Sequence, residues 1–189
     1  MSKQLISGRL AFPHIFEPRR NEDTGIEKFE LTLLVNPAHA CVKKYVAECL
    51  KLAAEKFGGE QKARAVLQSR PVFKKGDDRD NPPEGYAGNL YITLRSKTMP
   101  DFYSADRKRL TVAQAKELFY AGCMVNVLSS PWAYDNKGNR GVSHELLSLQ
   151  FAGHGDAFSG RPTTSADDFP DLSAENANDS FGESVDDIL

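Results

Sequence analysis

"CMVNVLSSPWAYDNKGNRGVSHELLSLQFAG", residues 123–153, carries two apolar runs around one polar turn. Turn formers gather at Asp135–Gly141, and on each side the chain is dense in Val, Leu and aromatic residues. That pattern predicts a long antiparallel hairpin. Trp132 and Tyr134 fall on one strand face at period two, and the turn carries Lys137 and Arg140. Just upstream, "TVAQAKELFYAG" (Thr111–Gly122) reads as a short helix capped by Thr111 and closed by Gly122. Before it, "LYITLRSK" alternates: Leu90, Ile92 and Leu94 take one face, and Tyr91, Thr93, Arg95 and Lys97 take the other.

The N-terminal third supplies two more strands. Gln4–Phe16 reads as a strand interrupted near Pro13, and Glu27–Val35 sets Phe29, Leu31, Leu33 and Val35 on one face. Their connector, "EPRRNEDTG", is rich in turn formers and charge. Asn36 as N-cap and Pro37 as first residue open a predicted helix whose apolar positions run from Ala38 to Phe57 and which Gly58-Gly59 ends. A shorter helix is predicted over Glu60–Gln68. Phe73–Asn89 lacks either periodicity and is expected to be a long loop, functional or mobile. The class is mainly β with added helices.

At 189 residues and 40% hydrophobic content, the chain supports one core plus a tail. Cys41, Cys49 and Cys123 form no C-x-x-C pair and leave an odd thiol, which argues for a reducing compartment. The start, MSKQLISGRL, lacks a secretion pattern, and no apolar run is long enough to span a membrane. Charge is divided unevenly. Residues 1–155 hold 23 Lys+Arg and 17 Asp+Glu, a net of +6, whereas residues 156–189 hold Arg161 against nine acids, a net of -8. A basic binding domain over 1–155 and a disordered acidic tail over 156–189 are expected.

Catalytic and metal patterns are absent from the sequence. His14, His39, His144 and His154 are scattered, and neither a phosphate-binding loop nor a G-x-S-x-G elbow occurs. No cofactor or metal is expected. The carboxylates of "DDRD", Asp77–Asp80, carry the alternative reading, a metal-dependent nuclease or other nucleic-acid enzyme, although their spacing is not that of a calcium loop.

Aromatic and basic residues instead recur together. Tyr91, Arg95 and Lys97 share a strand face; Phe102 and Tyr103 precede Arg107, Lys108 and Arg109; Trp132 and Tyr134 lead to Lys137 and Arg140; and Lys74, Lys75, Arg79 and Tyr86 lie in the loop. Rings stack on bases at about 1–3 kcal/mol each while cations hold phosphates, so the pattern fits a single strand of nucleic acid. Tyr91, Tyr103 and Trp132 are the expected stacking rings, with Arg95, Lys97 and Arg107 on the backbone. Residue chemistry alone does not separate DNA from RNA.

"YAGNLYITLRSK", the hairpin with its flanks ("ELFYAG" to "HGDAFSG") and the acidic ending resemble the single-stranded-DNA-binding proteins of tailed phages. The resemblance implies an OB-fold, a five-stranded Greek-key β-barrel that binds oligonucleotides. It also implies a non-catalytic protein that coats ssDNA during phage replication and recombination in the cytoplasm of an infected bacterial host, with duplex DNA and ssRNA as weaker ligands. The tip Asp186, Asp187, Ile188 and Leu189 would then compete with DNA and dock replication proteins such as polymerase, although it lacks the Pro-Phe or terminal Phe common in such proteins.

Overall fold

In the computed structural model, residues 3–22 and 24–158 are described. Seven strands and three helices occur there: β1 (Gln4–Arg20), β2 (Glu27–Val35), α1 (Ala40–Phe57), α2 (Glu60–Ser69), β3 (Lys74–Lys75), β4 (Leu90–Ser96), β5 (Asp101–Tyr103), α3 (Val112–Leu118), β6 (Met124–Asn136) and β7 (Asn139–Gly153). None of these helices is long and apolar enough to cross a membrane.

Strand order is β3-β4-β2-β1-β6-β7-β5, and a parallel pairing of β4 with β7, Arg95 opposite Glu145, closes the sheet on itself. Five strands, β1, β2, β4, β6 and β7, form the closed barrel of an OB-fold. Alternation makes the wall two-sided. Ile6, Leu10, Leu31, Leu33, Ile92, Leu94, Val127 and Leu149 point inward and are at most 2% exposed, whereas Tyr91, Thr93 and Arg95 point outward. Burial of each large inward side chain contributes about 1.5–3 kcal/mol.

Helix α1 buries Cys41, Tyr45, Cys49, Ala53 and Phe57, an i,i+4 stripe packed against β1, β6 and β7. It begins three residues later than the sequence suggests. Asn36 accepts from the Ala38 and His39 amides and makes a turn, and His39 is the cap, its Nδ1 accepting from the Cys41 amide at 3.2 Å. The second helix and the Glu27–Val35 strand fall where the sequence places them. Thr111 caps α3 in a reciprocal box with Gln114, which stabilises the helix by about 1 kcal/mol.

The long hairpin is tighter than its turn chemistry suggests. Only Lys137 and Gly138 lie between the strands, both at positive φ (51° and 88°), the two-residue turn that matches strand twist. The first strand is interrupted near Pro13 as the sequence suggests, and it runs on past Phe16. It continues to Arg20 across an irregularity in which Phe12 has φ 46°. The Phe73–Asn89 segment is a pinned loop. Gly76 N donates to Asn89 O at 2.8 Å, and Asp77 Oδ1 accepts from the Gly88 amide at 2.9 Å. Packed chain continues past Gly155 through Phe158, whose amide donates to Ala121 O.

Candidate nucleic-acid interface

The registers of β1, β2 and β4 build rows across the outside of the barrel. Arg9, Leu34, Tyr91 and Lys74 form one, Ala11, Thr32 and Thr93 the next, and His14, Glu30 and Arg95 the third. Two clefts meet at this surface. One, about 460 Å³, lies between the end of α2, β4 and the β6–β7 hairpin, with Arg70, Lys74, Tyr91, Arg95 and Tyr134 on its walls. The other, about 590 Å³, lies under the β1–β2 hairpin, where Arg19, Arg20 and Lys28 face Glu30 and Arg95. Arg95 borders both.

Aromatic and cationic groups are held at defined positions in the first cleft. Tyr91 lies half-buried with its ring 5.1 Å from that of Tyr86, and the Arg79 guanidinium sits 5.6 Å from the Tyr91 ring centre. Trp132 and Tyr134 pack ring to ring at 5.7 Å, and Trp132 remains 47% exposed. The Tyr134 ring crosses Gly141, where a Cβ would stand 2.6 Å from its hydroxyl oxygen. Arg70 Nη1 donates to that hydroxyl at 3.2 Å and also to Asn139 Oδ1.

Charge in the second cleft is partly neutralised. Glu30 accepts from Arg95 Nε at 2.8 Å and from Arg19 Nη1 at 3.3 Å. Burial pushes the Glu30 carboxyl up, but the hydrogen bond and charge of Arg95, joined by Arg19, outweigh it and hold the group below the usual carboxylate range. It is therefore an anion that a phosphate must compete with. Below the first cleft, Tyr45 OH lies 3.0 Å from both His144 Nδ1 and Ser129 Oγ. Burial lowers the His144 pKa to about 4, so the imidazole is neutral at physiological pH.

Several sequence expectations need correcting. Phe102, read as a DNA-binding residue, is 3% exposed and closed to DNA, while Tyr86, read the same way, is 1% exposed in a cluster against which Phe158 packs. Tyr86 packs with Ala11 and Leu34, and Phe102 lies among Phe16 and Phe119 in the barrel core. Tyr103 and Arg107 belong to another part of the wall, an apolar hollow of about 290 Å³ beside Leu5 and Leu128. The neighbouring Lys108 and Arg109 are tied to Asp106 at 2.7 Å and Asp101 at 2.5 Å.

The remaining groups stay near the first cleft or the hairpin. Lys74 and Lys75 form the exposed edge strand, Lys97 follows β4, Lys137 stands at the hairpin tip, and Arg140 pairs with Asp135 at 2.7 Å. Asp186, Asp187, Ile188 and Leu189 lie outside the described residues. Sequence reasoning missed Arg19, Arg20, Lys28 and Arg70. The first two stand in the quoted connector, where a charged turn between two strands was the available signal. No group of three His, Cys, Asp or Glu among the described residues could hold a metal ion, and Asp77 of the "DDRD" run serves the Gly88 amide. The nuclease reading gains no support.

Cations and rings on the outer face of the second and third barrel strands, flanked by the first and last hairpins, define an oligonucleotide-binding OB-fold protein. Residues 3–181 match the family model described as Enterobacter phage Enc34, ssDNA-binding protein, and the chain belongs to that family. It is 32% identical over 179 residues to "Putative protein p50" of Acyrthosiphon pisum secondary endosymbiont phage 1, covering 92% of this chain and 95% of that one. The single-stranded DNA-binding protein from bacteriophage Enc34, solved in complex with ssDNA, superposes with a TM-score of 0.69 at 28% identity, covering 82% of this chain and 88% of that one. The bacteriophage T7 protein gp2.5, at 16% identity, shares the fold with a TM-score of 0.53 over 95% of this chain and all of that one.

Proposed function

We propose that this chain binds single-stranded DNA along the outer face of β2 and β4, from the β6–β7 hairpin past Arg95 to the β1–β2 hairpin. The carrying observation is the pair of clefts that share Arg95 and bring Arg70, Lys74, Tyr91 and Tyr134 to one surface. Stacking on rings and charge contacts to phosphates both tolerate any sequence, so the protein coats ssDNA without strong preference during phage replication and recombination inside the bacterial host. Its task is binding rather than catalysis. The family membership and the ssDNA-bound relative support this reading.

The nine acids of residues 156–189 belong to the same function. A tethered anionic segment competes with DNA at an effective concentration of order mM, and its apolar tip, Ile188 and Leu189, docks a replication protein such as polymerase. Titration of the full chain with matched ssDNA, duplex DNA and ssRNA tests the proposal. Single-stranded DNA is expected to bind most tightly, with the other two weaker. Equal affinity for duplex and single strand would remove base stacking from the account.

A further inference from the structure

The last described residues lie on the wall in a prepared position. Asp156–Phe158 lie against Ala121 and Gly122, with Phe158 N donating to Ala121 O at 2.9 Å, and Arg9 of β1 ties the two segments together: Nη2 donates to Asp156 O at 2.7 Å and Nε donates to Gly122 O at 3.2 Å. The same guanidinium stands 4.2 Å over the centre of the Phe158 ring. The ring packs against the cluster of Ala11, Leu34 and Tyr86, and Tyr91 packs against the same cluster. Glycines make the space. A Cβ at Gly85 would collide with the ring, and one at Gly122 would collide with the Asp156 carbonyl oxygen. Both have positive φ (82° and 111°), which L side chains adopt only with strain.

Tyr91 joins this slot to the first cleft, packing against the cluster and also lining that cleft. The slot's chemistry suits a base as well as a phenyl ring. It offers a guanidinium to stack above a flat π-system, apolar and aromatic groups below, the half-exposed Phe12 ring 6.3 Å from Tyr86, and the exposed Arg79 cation 5.2 Å from the Tyr86 ring centre for an attached phosphate. Phe158, itself half-buried, is held by its amide N–H hydrogen bond to Ala121 O at 2.9 Å and by Arg9 over its ring, and loss of these contacts withdraws the ring.

We propose that the slot formed by Arg9, Leu34, Gly85, Tyr86 and Tyr91 is a nucleobase subsite, and that Phe158 fills it in the DNA-free chain. This rests on the ssDNA reading above. A base entering the subsite displaces Phe158, so ligand affinity is reduced by the fraction of time the ring is seated. A latch seated about nine-tenths of the time weakens apparent affinity about tenfold.

The test uses the full chain carrying 4-fluorophenylalanine at position 158 alone, titrated with oligo(dT) while fluorescence anisotropy follows binding. The fluorine resonance is expected to move toward its solvent-exposed position as DNA saturates. Phe158→Ala is expected to bind about tenfold more tightly. Adding Arg9→Ala to that variant is expected to weaken binding about two- to fivefold, the scale of an exposed cation–π contact. An unmoved resonance at saturation, an unchanged affinity in Phe158→Ala, or no loss on adding Arg9→Ala overturns the subsite while leaving ssDNA binding intact. A wild-type chain that does not bind oligo(dT) overturns both.

Discussion

Replacing Tyr91 by alanine removes a ring from the junction of the groove without touching the inward-facing side of β4, where Ile92 and Leu94 hold the barrel. A base stacked on an aromatic side chain contributes about 1–3 kcal/mol. Tyr91 already spends part of its surface on Tyr86, 5.1 Å away, and beneath Arg79. The lower part of the range therefore applies: about 1–2 kcal/mol, or roughly a 5- to 30-fold rise in Kd. Anisotropy of labelled oligo(dT) at fixed salt measures it, with thermal melting of each variant as the check on folding. Tyr91→Phe retains the ring and should bind within about twofold of wild type, given the stacking origin of the effect. Unchanged affinity in Tyr91→Ala, with melting intact, would refute the stacking platform. A loss in Tyr91→Phe equal to that in Tyr91→Ala would transfer the effect from the ring to the hydroxyl.

Other expectations follow from the same surface. Glu30→Gln frees Arg95 and Arg19 from an exposed ion pair worth about 0.2–1 kcal/mol, so oligo(dT) should bind about 1.5- to 5-fold more tightly at low salt; weaker binding would make Glu30 a needed positioner of the two arginines. His144 is lowered by burial from 6.5 to about 4, so the unfolded chain takes up the proton first as pH falls. Stability is therefore lost between pH 6.5 and 4, by about 2 kcal/mol at pH 5. Urea unfolding should show that loss in wild type and not in His144→Gln. Removing residues 162–189 takes away eight acids and no base, which should raise DNA affinity most at low salt; equal affinity across salt would eliminate competition by the tail. Deleting Ile188 and Leu189 alone should leave DNA binding unchanged and abolish capture of a replication protein such as polymerase, whereas retained capture would place docking elsewhere.

Local pattern carried the strands and the outward face of β4, because period-two alternation in "LYITLRSK" states both which side is apolar and which is not. Chain order also located the long hairpin and the helix cap at Thr111. What it did not carry was neighbourhood. Tyr86 and Tyr91 are five residues apart and alike in type, yet one is buried under the other by contacts with Ala11 and Leu34 from distant strands. Tyr103 and Arg107 stand soon after Arg95 in sequence, but β5 pairs with β7 rather than with β4, which carries them to another section of the wall. Arg9 and Arg70, from the first strand and the end of α2, reach the surface only once the barrel has closed.

The groove itself is tested most directly by the salt dependence of oligo(dT) binding, read through Trp132, the sole tryptophan and 47% exposed beside Tyr134. Arg19, Arg20, Lys28, Arg70, Lys74 and Arg95 line the two clefts. At about -0.7 per phosphate contact on a single strand, four to six engaged cations give a log–log slope of roughly -3 to -4. That slope is expected together with a change in Trp132 fluorescence that saturates with the DNA. A slope near zero, or tryptophan emission indifferent to saturating DNA, would contradict the groove.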